Sequence, residues 1–132
     1  MANVSLVLVS HSAGLAAGVA ELVAQMAGPD VTIHSVGGMD DGSLGTDGER
    51  VLGVLQMAAQ HAGAVVLMDL GSSVLAVKAA QDELSEEQRS LLSIVDGPLV
   101  EGAVAAGVLA SIGASLAEVA QAAEEARDVR KL

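Results

Sequence analysis

The sequence contains no cysteine, phenylalanine, tryptophan or tyrosine. Without cysteine the chain cannot form disulfides, thiolate nucleophiles or thiolate metal sites. Without aromatic side chains it offers no platform on which a nucleic-acid base or a flavin ring could stack. Hydrophobic residues make up 52% of the 132 residues, so the core must consist of Leu, Val, Ile, Met and Ala. The length fits one domain.

Positive charge is also scarce, because six Lys and Arg stand against 17 Asp and Glu, for a formal net charge of −11. This balance argues against nucleic acid and anionic membranes as partners. It solubilises the surface and would attract a basic protein partner. The first residues lack the basic segment of a signal peptide, and uncharged residues 102–117 are too few and too rich in Gly and Ala to span a bilayer. We therefore expect a cytoplasmic protein.

Strand and helix patterns alternate along the chain. The alternation predicts an α/β fold with an open, mainly parallel sheet of four to five strands and helices on both faces. We assign residues 1–132 to a single domain with a polar tail at 127–132. The predicted strands are 4–10, 31–36, 64–69 and 91–95. Helices are predicted over 14–27, 71–82 and 98–110, with a short helical turn within 85–92. Two further helices are predicted to begin at capping boxes, one formed by Thr46 and Glu49 and the other by Ser115 and Glu118.

Polar residues follow the predicted strands at their carboxyl ends. The first strand ends in Ser10-His11-Ser12, the third in Asp69, and the fourth in Asp96-Gly97-Pro98. In open parallel sheets, ligand chemistry collects at these ends near a topological switch point. The sequence therefore predicts that the functional residues meet at this edge.

His11 is the candidate nucleophile. It lies between a strand end and a helix start, where backbone N–H groups converge and favour an anion. A neutral imidazole is a good nucleophile near neutral pH. Asp69 is its candidate partner, because a carboxylate that accepts a hydrogen bond from one ring nitrogen leaves the other nitrogen free. The alternatives are that His11 caps a helix or is structural, and that Asp69 caps the next helix.

Other polar residues allow both structural and functional interpretations. Ser72 and Ser73 either cap a helix or donate hydrogen bonds to a phosphoryl group, and both are compatible. Thr46 is interpreted first as a helix cap and second as a site residue. Two histidines, His34 and His61, are predicted to be structural. Asp96 and Glu101 are either helix-terminus acids or part of a rim that faces a partner.

Four motifs in order resemble one family. SHS after the first strand, LGTD before the second helix, DLGSS after the third strand and VDGPLVEGAVAA after the fourth resemble the phosphotransferase subunits of bacterial dihydroxyacetone kinase, the DhaM family. These subunits are similar to the mannose-type enzyme IIA domains of the sugar phosphotransferase system. The resemblance covers residues 4–126. It implies that His11 is phosphorylated on Nε2 and that its Nδ1–H faces the Asp69 carboxylate.

The resemblance also implies the partners. Phospho-HPr would be the donor, and ADP on the DhaL subunit would be the acceptor; the resulting ATP would serve the DhaK subunit that holds dihydroxyacetone. The chain would form a homodimer and bind no cofactor itself, because ADP or ATP with Mg would stay on DhaL. The residues predicted to position the phosphoryl oxygens, by backbone N–H groups or hydroxyls, are Ser12, Ala13, Gly14, Thr46, Gly71, Ser72 and Ser73.

Two other functions are compatible with the sequence. A small tetrapyrrole metal chelatase also places a histidine after a first parallel strand, but it needs a second metal-facing histidine, and His34 and His61 are poorly placed for that role. A binding or regulatory module, in which His11 only caps a helix, needs no chemistry. Uptake of a phosphoryl group by the purified protein would separate the carrier from both alternatives.

Overall fold

The computed structural model describes residues 2–132. The elements alternate as the sequence predicts, with the boundaries shifted by at most two residues except at the end of the second helix. In chain order they are β1 (Ser5–Ser10), α1 (Ala13–Ala27), β2 (Ile33–Gly37), α2 (Gly48–Ala58), β3 (Ala64–Met68), α3 (Gly71–Asp82), α4 (Glu86–Ser90), β4 (Leu92–Ile94), α5 (Leu99–Ser111), α6 (Leu116–Glu125) and a 3₁₀ turn (Ala126–Asp128).

The sheet has the strand order β2-β1-β3-β4, and each neighbouring pair is parallel. This confirms the predicted α/β class. Side chains alternate across β1, because successive residues of a strand point to opposite faces. Leu6 and Leu8 join a core with α1, α5 and α6, whereas Val7 and Val9 join a second core with α2 and α3. The central strand is therefore buried on both faces.

Small residues let the helices pack closely in a core without aromatic rings. A Cβ atom added to Gly107 in α5 would lie 2.5 Å from Cγ1 of Val23 in α1. Ala103, Ala106 and Ala110 on the same helix are fully buried. Replacing Gly107 by a larger residue would destabilise this packing, because the Val23 side chain or one of the two helices would have to shift.

Two helix starts show how local sequence sets the ends of the helices. The capping box predicted at Ser115 and Glu118 is confirmed, with both reciprocal hydrogen bonds present. At α2 the prediction was wrong by one residue, because Asp47, not Thr46, is the N-cap. The Asp47 side chain accepts the N–H groups of Glu49 and Arg50. The Thr46 hydroxyl is consequently available for other contacts.

The second helix also ends earlier than its apolar stripe suggested. Val51, Leu55, Ala58 and Ala62 recur at helical spacing, which predicts a helix through Ala62, but α2 ends at Ala58. After the C-cap at Ala59, His61 and Gly63 both have positive φ angles, of 54° and 85°, so the chain turns toward β3 instead of continuing the helix. A Cβ on Gly63 would lie 2.4 Å from the Leu91 carbonyl oxygen, so this glycine is required where the turn enters β3.

The carboxyl-terminal segment folds against α5 rather than extending freely. Residues 126–128 form the 3₁₀ turn. Arg127 pairs with Asp96 at 3.3 Å, and Lys131 pairs with Glu101 at 3.1 Å. None of the helices in residues 2–132 has the length and apolar character needed to cross a membrane.

Candidate functional site

The site lies where the two central strands end side by side. The main chain of β1 and that of β3 remain paired up to this edge, because the Asp69 N–H donates to the Val9 carbonyl oxygen at 3.2 Å. The Asp69 carboxylate accepts the main-chain N–H of His11, with distances of 3.2 Å to Oδ1 and 3.0 Å to Oδ2. The topology thus brings His11 and Asp69 together, as the sequence predicted.

The Asp69 carboxylate accepts hydrogen bonds from both main-chain N–H groups and hydroxyls. Besides His11, it accepts from the Ser10 hydroxyl at 2.7 Å, the Leu70 N–H at 2.6 Å and the Ser73 hydroxyl at 2.8 Å. Burial raises the pKa of Asp69, but these hydrogen bonds outweigh burial, and the pKa lies below its usual value. The carboxylate is therefore ionised at neutral pH and acts only as an acceptor.

The imidazole of His11 contacts a hydroxyl, not the carboxylate. Its Nδ1 lies 2.5 Å from Oγ of Ser72. The sequence predicted that Nδ1–H would face Asp69 directly, and this contact is corrected. The carboxylate is already engaged by main-chain and hydroxyl donors, so the nearest side chain left for Nδ1 is that of Ser72. The contact turns Nε2, on the opposite side of the ring, away from Ser72.

Thr46 stands beside the two serines of α3. Its Oγ1 lies 3.2 Å from Oγ of Ser72 and 3.2 Å from Oγ of Ser73. The β-bridge between Gly38 and Thr46 holds it there. Thr46 is consequently part of the site. Its contact with the two serine hydroxyls was not expected from its interpretation as a helix cap.

Two helices begin at the site and direct backbone N–H groups toward it. At α1, the N–H of Ser12 donates to Oγ of Ser10 at 3.0 Å, and that of Leu15 donates to Oγ of Ser12 at 3.2 Å. The N–H groups of Ala13 and Gly14 precede the first helical hydrogen bond, so helix geometry gives them no acceptor. At α3, the N–H groups of Gly71 and Ser72 likewise precede the first helical hydrogen bonds, which Ser73 and Val74 donate to the Leu70 carbonyl oxygen. The amino-terminal ends of α1 and α3 therefore both favour a bound anion.

Ser10 is a site residue that the sequence reasoning missed. It is fully buried. It donates to Asp69 and accepts from the Ser12 N–H, so it ties the carboxylate to the loop that carries His11. The available signal was a serine at the carboxyl end of a buried strand, where a buried hydroxyl needs partners.

A loop over residues 38–46 supports the histidine from the β2 side. The Gly45 N–H donates to the His11 carbonyl oxygen at 2.8 Å. A Cβ on Gly37, the last residue of β2, would lie 2.6 Å from the Ser12 carbonyl oxygen. Only glycine allows this close approach. Arg50, the first cation of the sequence, donates to the Gly38 carbonyl oxygen at 3.5 Å.

The remaining candidates lie outside the cluster around His11 and Asp69. His34 is the second residue of β2, and His61 precedes β3, so both lie near the amino ends of the strands. Burial lowers the pKa of His34. Asp96 and Glu101 are engaged by Arg127 and Lys131. Residues 2–132 contain no group of three or more His, Cys, Asp or Glu side chains that could hold a metal ion.

Comparison with known proteins gives a consistent result. The family model for EIIA-man, described as the PTS system fructose IIA component, matches residues 5–120. A relative from Listeria innocua, named PEP-dependent dihydroxyacetone kinase 2, phosphoryl donor subunit DhaM, is 34% identical over 89% of this chain and 94% of its own length. A DhaM subunit from Providencia stuartii is 34% identical over 97% of this chain. The chain spans only 28% of the length of that relative.

A solved structure has the same fold. A crystallised protein of unknown function superposes with a TM-score of 0.83 and is 36% identical, with 93% of this chain and 94% of that chain covered. A DegV family protein from Corynebacterium glutamicum, at 23% identity and a TM-score of 0.63, shares the fold alone.

Proposed function

Because this chain belongs to the EIIA-man family and is related to DhaM phosphoryl donor subunits, we propose that it carries a phosphoryl group on Nε2 of His11. The observation that supports this most directly is the arrangement of the ring. Nδ1 is engaged by Ser72, which leaves Nε2 as the nitrogen that can act as nucleophile. Around the ring, the starts of α1 and α3 supply unpaired N–H groups for the phosphoryl oxygens.

The loading step begins with the neutral ring. The lone pair of Nε2 attacks phosphorus, and the bond between phosphorus and the donor group breaks, with its electron pair leaving on the donor. The ring then carries the phosphoryl group on Nε2 and a proton on Nδ1, so it is an imidazolium. In discharge, an oxygen of the ADP β-phosphate attacks phosphorus. The P–N electron pair returns to Nε2, and ATP and the neutral ring are formed.

The donor and acceptor are proteins in this proposal. Phospho-HPr loads His11, and ADP with Mg on a DhaL subunit receives the group, so that DhaK can phosphorylate dihydroxyacetone. We place the relay in the cytoplasm, where ADP and ATP are used, and expect the chain to work as a homodimeric single domain over residues 1–132 without a cofactor of its own. Scarce cations support a protein donor, which can supply its own positive charge at the interface.

Intact-mass measurement of the purified chain tests the proposal. With phosphoenolpyruvate, Mg, enzyme I and HPr, we expect the wild type to gain one phosphoryl group, and His11→Gln to gain none. His34→Gln is the matched control, because this histidine lies at the opposite end of the sheet, and it should load like the wild type. Phosphoenolpyruvate or ATP without the two proteins should give no labelling. Loading of His11→Gln, or direct labelling by phosphoenolpyruvate, would contradict the proposal.

A further inference from the structure

Four hydrogen-bond contacts link the His11 ring to the Asp69 carboxylate through three hydroxyls. The first is His11 Nδ1 to Ser72 Oγ at 2.5 Å, followed by Ser72 to Thr46 at 3.2 Å and Thr46 to Ser73 at 3.2 Å. The last is Ser73 to Asp69 Oδ1 at 2.8 Å. This hydroxyl chain, Ser72–Thr46–Ser73, connects the ring to the carboxylate that does not touch it.

The carboxylate gives the hydroxyl chain a direction. Ionised Asp69 can only accept, so the single proton of the Ser73 hydroxyl goes to Asp69. Ser73 must then accept from Thr46. Each hydroxyl has one proton to donate, so Thr46 in turn accepts from Ser72. The Ser72 oxygen is left as an acceptor toward the ring, and Nδ1 must carry the proton.

We propose that Asp69, acting through the hydroxyl chain Ser72–Thr46–Ser73, holds the proton on Nδ1 of His11 and so keeps Nε2 free. Thr46, Ser72 and Ser73 are positioning residues in this role, in addition to any contact with phosphoryl oxygens. The direction of the chain stands on these contacts and on the ionised state of Asp69. Its consequence for phosphoryl transfer rests on the proposed function.

The fixed proton has a use in both half-reactions. Before loading, Nδ1–H leaves the Nε2 lone pair available for attack. After loading, the same proton keeps the ring cationic, and the aligned hydroxyl dipoles and Asp69 stabilise that charge. A cationic ring is the better leaving group, because breaking the P–N bond returns an electron pair to it and gives neutral imidazole. The carrier is thereby loaded and discharged without a change of tautomer.

Thr46 is the link at which the hydroxyl chain is best tested. Both of its contacts are 3.2 Å, long for hydrogen bonds between hydroxyls, and Thr46 comes from a different segment from the two serines. Without its hydroxyl, Ser72 has lost its acceptor and can donate to Nδ1 instead. That reversal places the ring proton on Nε2, where it blocks the nucleophile.

Nitrogen-15 NMR of the His11 ring in the unloaded protein measures the tautomer directly. The spectra are recorded at an alkaline pH at which a free imidazole is neutral. We expect Nδ1–H to be the dominant form in the wild type and in Thr46→Ser, which keeps the hydroxyl. In Thr46→Val, which keeps the shape, Nε2–H should become the dominant form. Nε2–H in the wild type, or an unchanged tautomer in Thr46→Val, would overturn the proposal.

Ser73→Ala is the second variant. It removes the hydroxyl that donates to Asp69, which interrupts the same hydroxyl chain, and the smaller side chain introduces no new steric contact. It should shift the tautomer in the same direction as Thr46→Val. Loading from phospho-HPr should slow several-fold in both variants and recover in Thr46→Ser. If the tautomer shifts in both variants but the wild type does not load, the hydroxyl chain is supported and the phosphocarrier function is rejected. If the wild type loads normally but the tautomer is unshifted in both variants, the phosphocarrier function is supported and the role of the hydroxyl chain is rejected.

Discussion

Asp69 and Asp96 both follow strands at the same edge of the sheet, yet their surroundings are opposite. Asp69 follows β3, accepts hydrogen bonds from two main-chain N–H groups and two hydroxyls, and has a lowered pKa. The Asp96 side chain is 98% exposed and pairs with Arg127. Arg127 also donates to the Asp96 carbonyl oxygen. One aspartate is fixed by directional hydrogen bonds, and the other has an ion pair in solvent.

The difference comes from the position of the strands. β3 lies between β1 and β4, so the residue after it meets the end of β1 and the loop that carries His11. β4 is an edge strand of only three residues, and the segment after it meets the carboxyl-terminal turn. A strand-end carboxylate thus becomes part of a site where a neighbouring strand ends beside it and presents donors.

The largest expected effect is on the rate of phosphoryl transfer to His11, in which the two aspartates should differ. Asp69→Asn should slow loading of His11 on the order of 10²-fold, because the amide N–H₂ can donate to Ser73, reverse the hydroxyl chain and move the ring proton to Nε2. Asp96→Asn should load at the wild-type rate. Quenched-flow measurement with phospho-HPr gives both rates, and circular dichroism confirms that both variants fold. Equal rates in the two variants would remove the distinction between the aspartates.

A smaller effect should appear in acid stability. The pKa of Asp69 is lowered in the folded state, so its stabilising contribution is fully present above the pKa of the unfolded state, about 3.9. That contribution is lost as the pH falls through the folded pKa. The free energy of unfolding should therefore fall more steeply below about pH 4 in the wild type than in Asp69→Asn. Urea unfolding at several pH values measures the two slopes, and parallel slopes would contradict the lowered pKa.

The smallest effect is expected at the ion pair of Asp96. Exposed pairs gain little, because water and salt screen them and ordering the side chains costs entropy. The urea midpoint of Asp96→Asn should equal that of the wild type within error, at low and at high salt. A large shift that disappears at high salt would show that this pair stabilises the fold more than its exposure indicates.

Sequence reasoning predicted the fold well because the signals were local. A short apolar run of Leu and Val marked β1, Gly28-Pro29 marked the end of α1, and Ser115 with Glu118 marked the start of α6. The meeting of His11 and Asp69 also followed, since parallel strands end at a common edge. These features need only the period of the pattern and the chemistry of one turn.

The contacts inside the site were less predictable because several residues could serve the same purpose. Thr46 and Asp47 are both good N-caps, and only the fold shows that Asp47 caps α2 while the Thr46 hydroxyl contacts Ser72 and Ser73. The sequence likewise paired Asp69 with the ring, because a carboxylate near a histidine is the simplest arrangement. Instead, the buried Ser10 hydroxyl and the N–H of His11 donate hydrogen bonds to the carboxylate.

The most direct test of this account is to identify which nitrogen becomes phosphorylated. The chain, labelled with nitrogen-15 in its histidine rings, is loaded with enzyme I, HPr and phosphoenolpyruvate and examined by phosphorus and nitrogen NMR. The account predicts one phosphoryl group, with a one-bond coupling between phosphorus and Nε2 of His11, and a proton on Nδ1. Phosphorus bonded to Nδ1 of His11, or to any other residue, would contradict it.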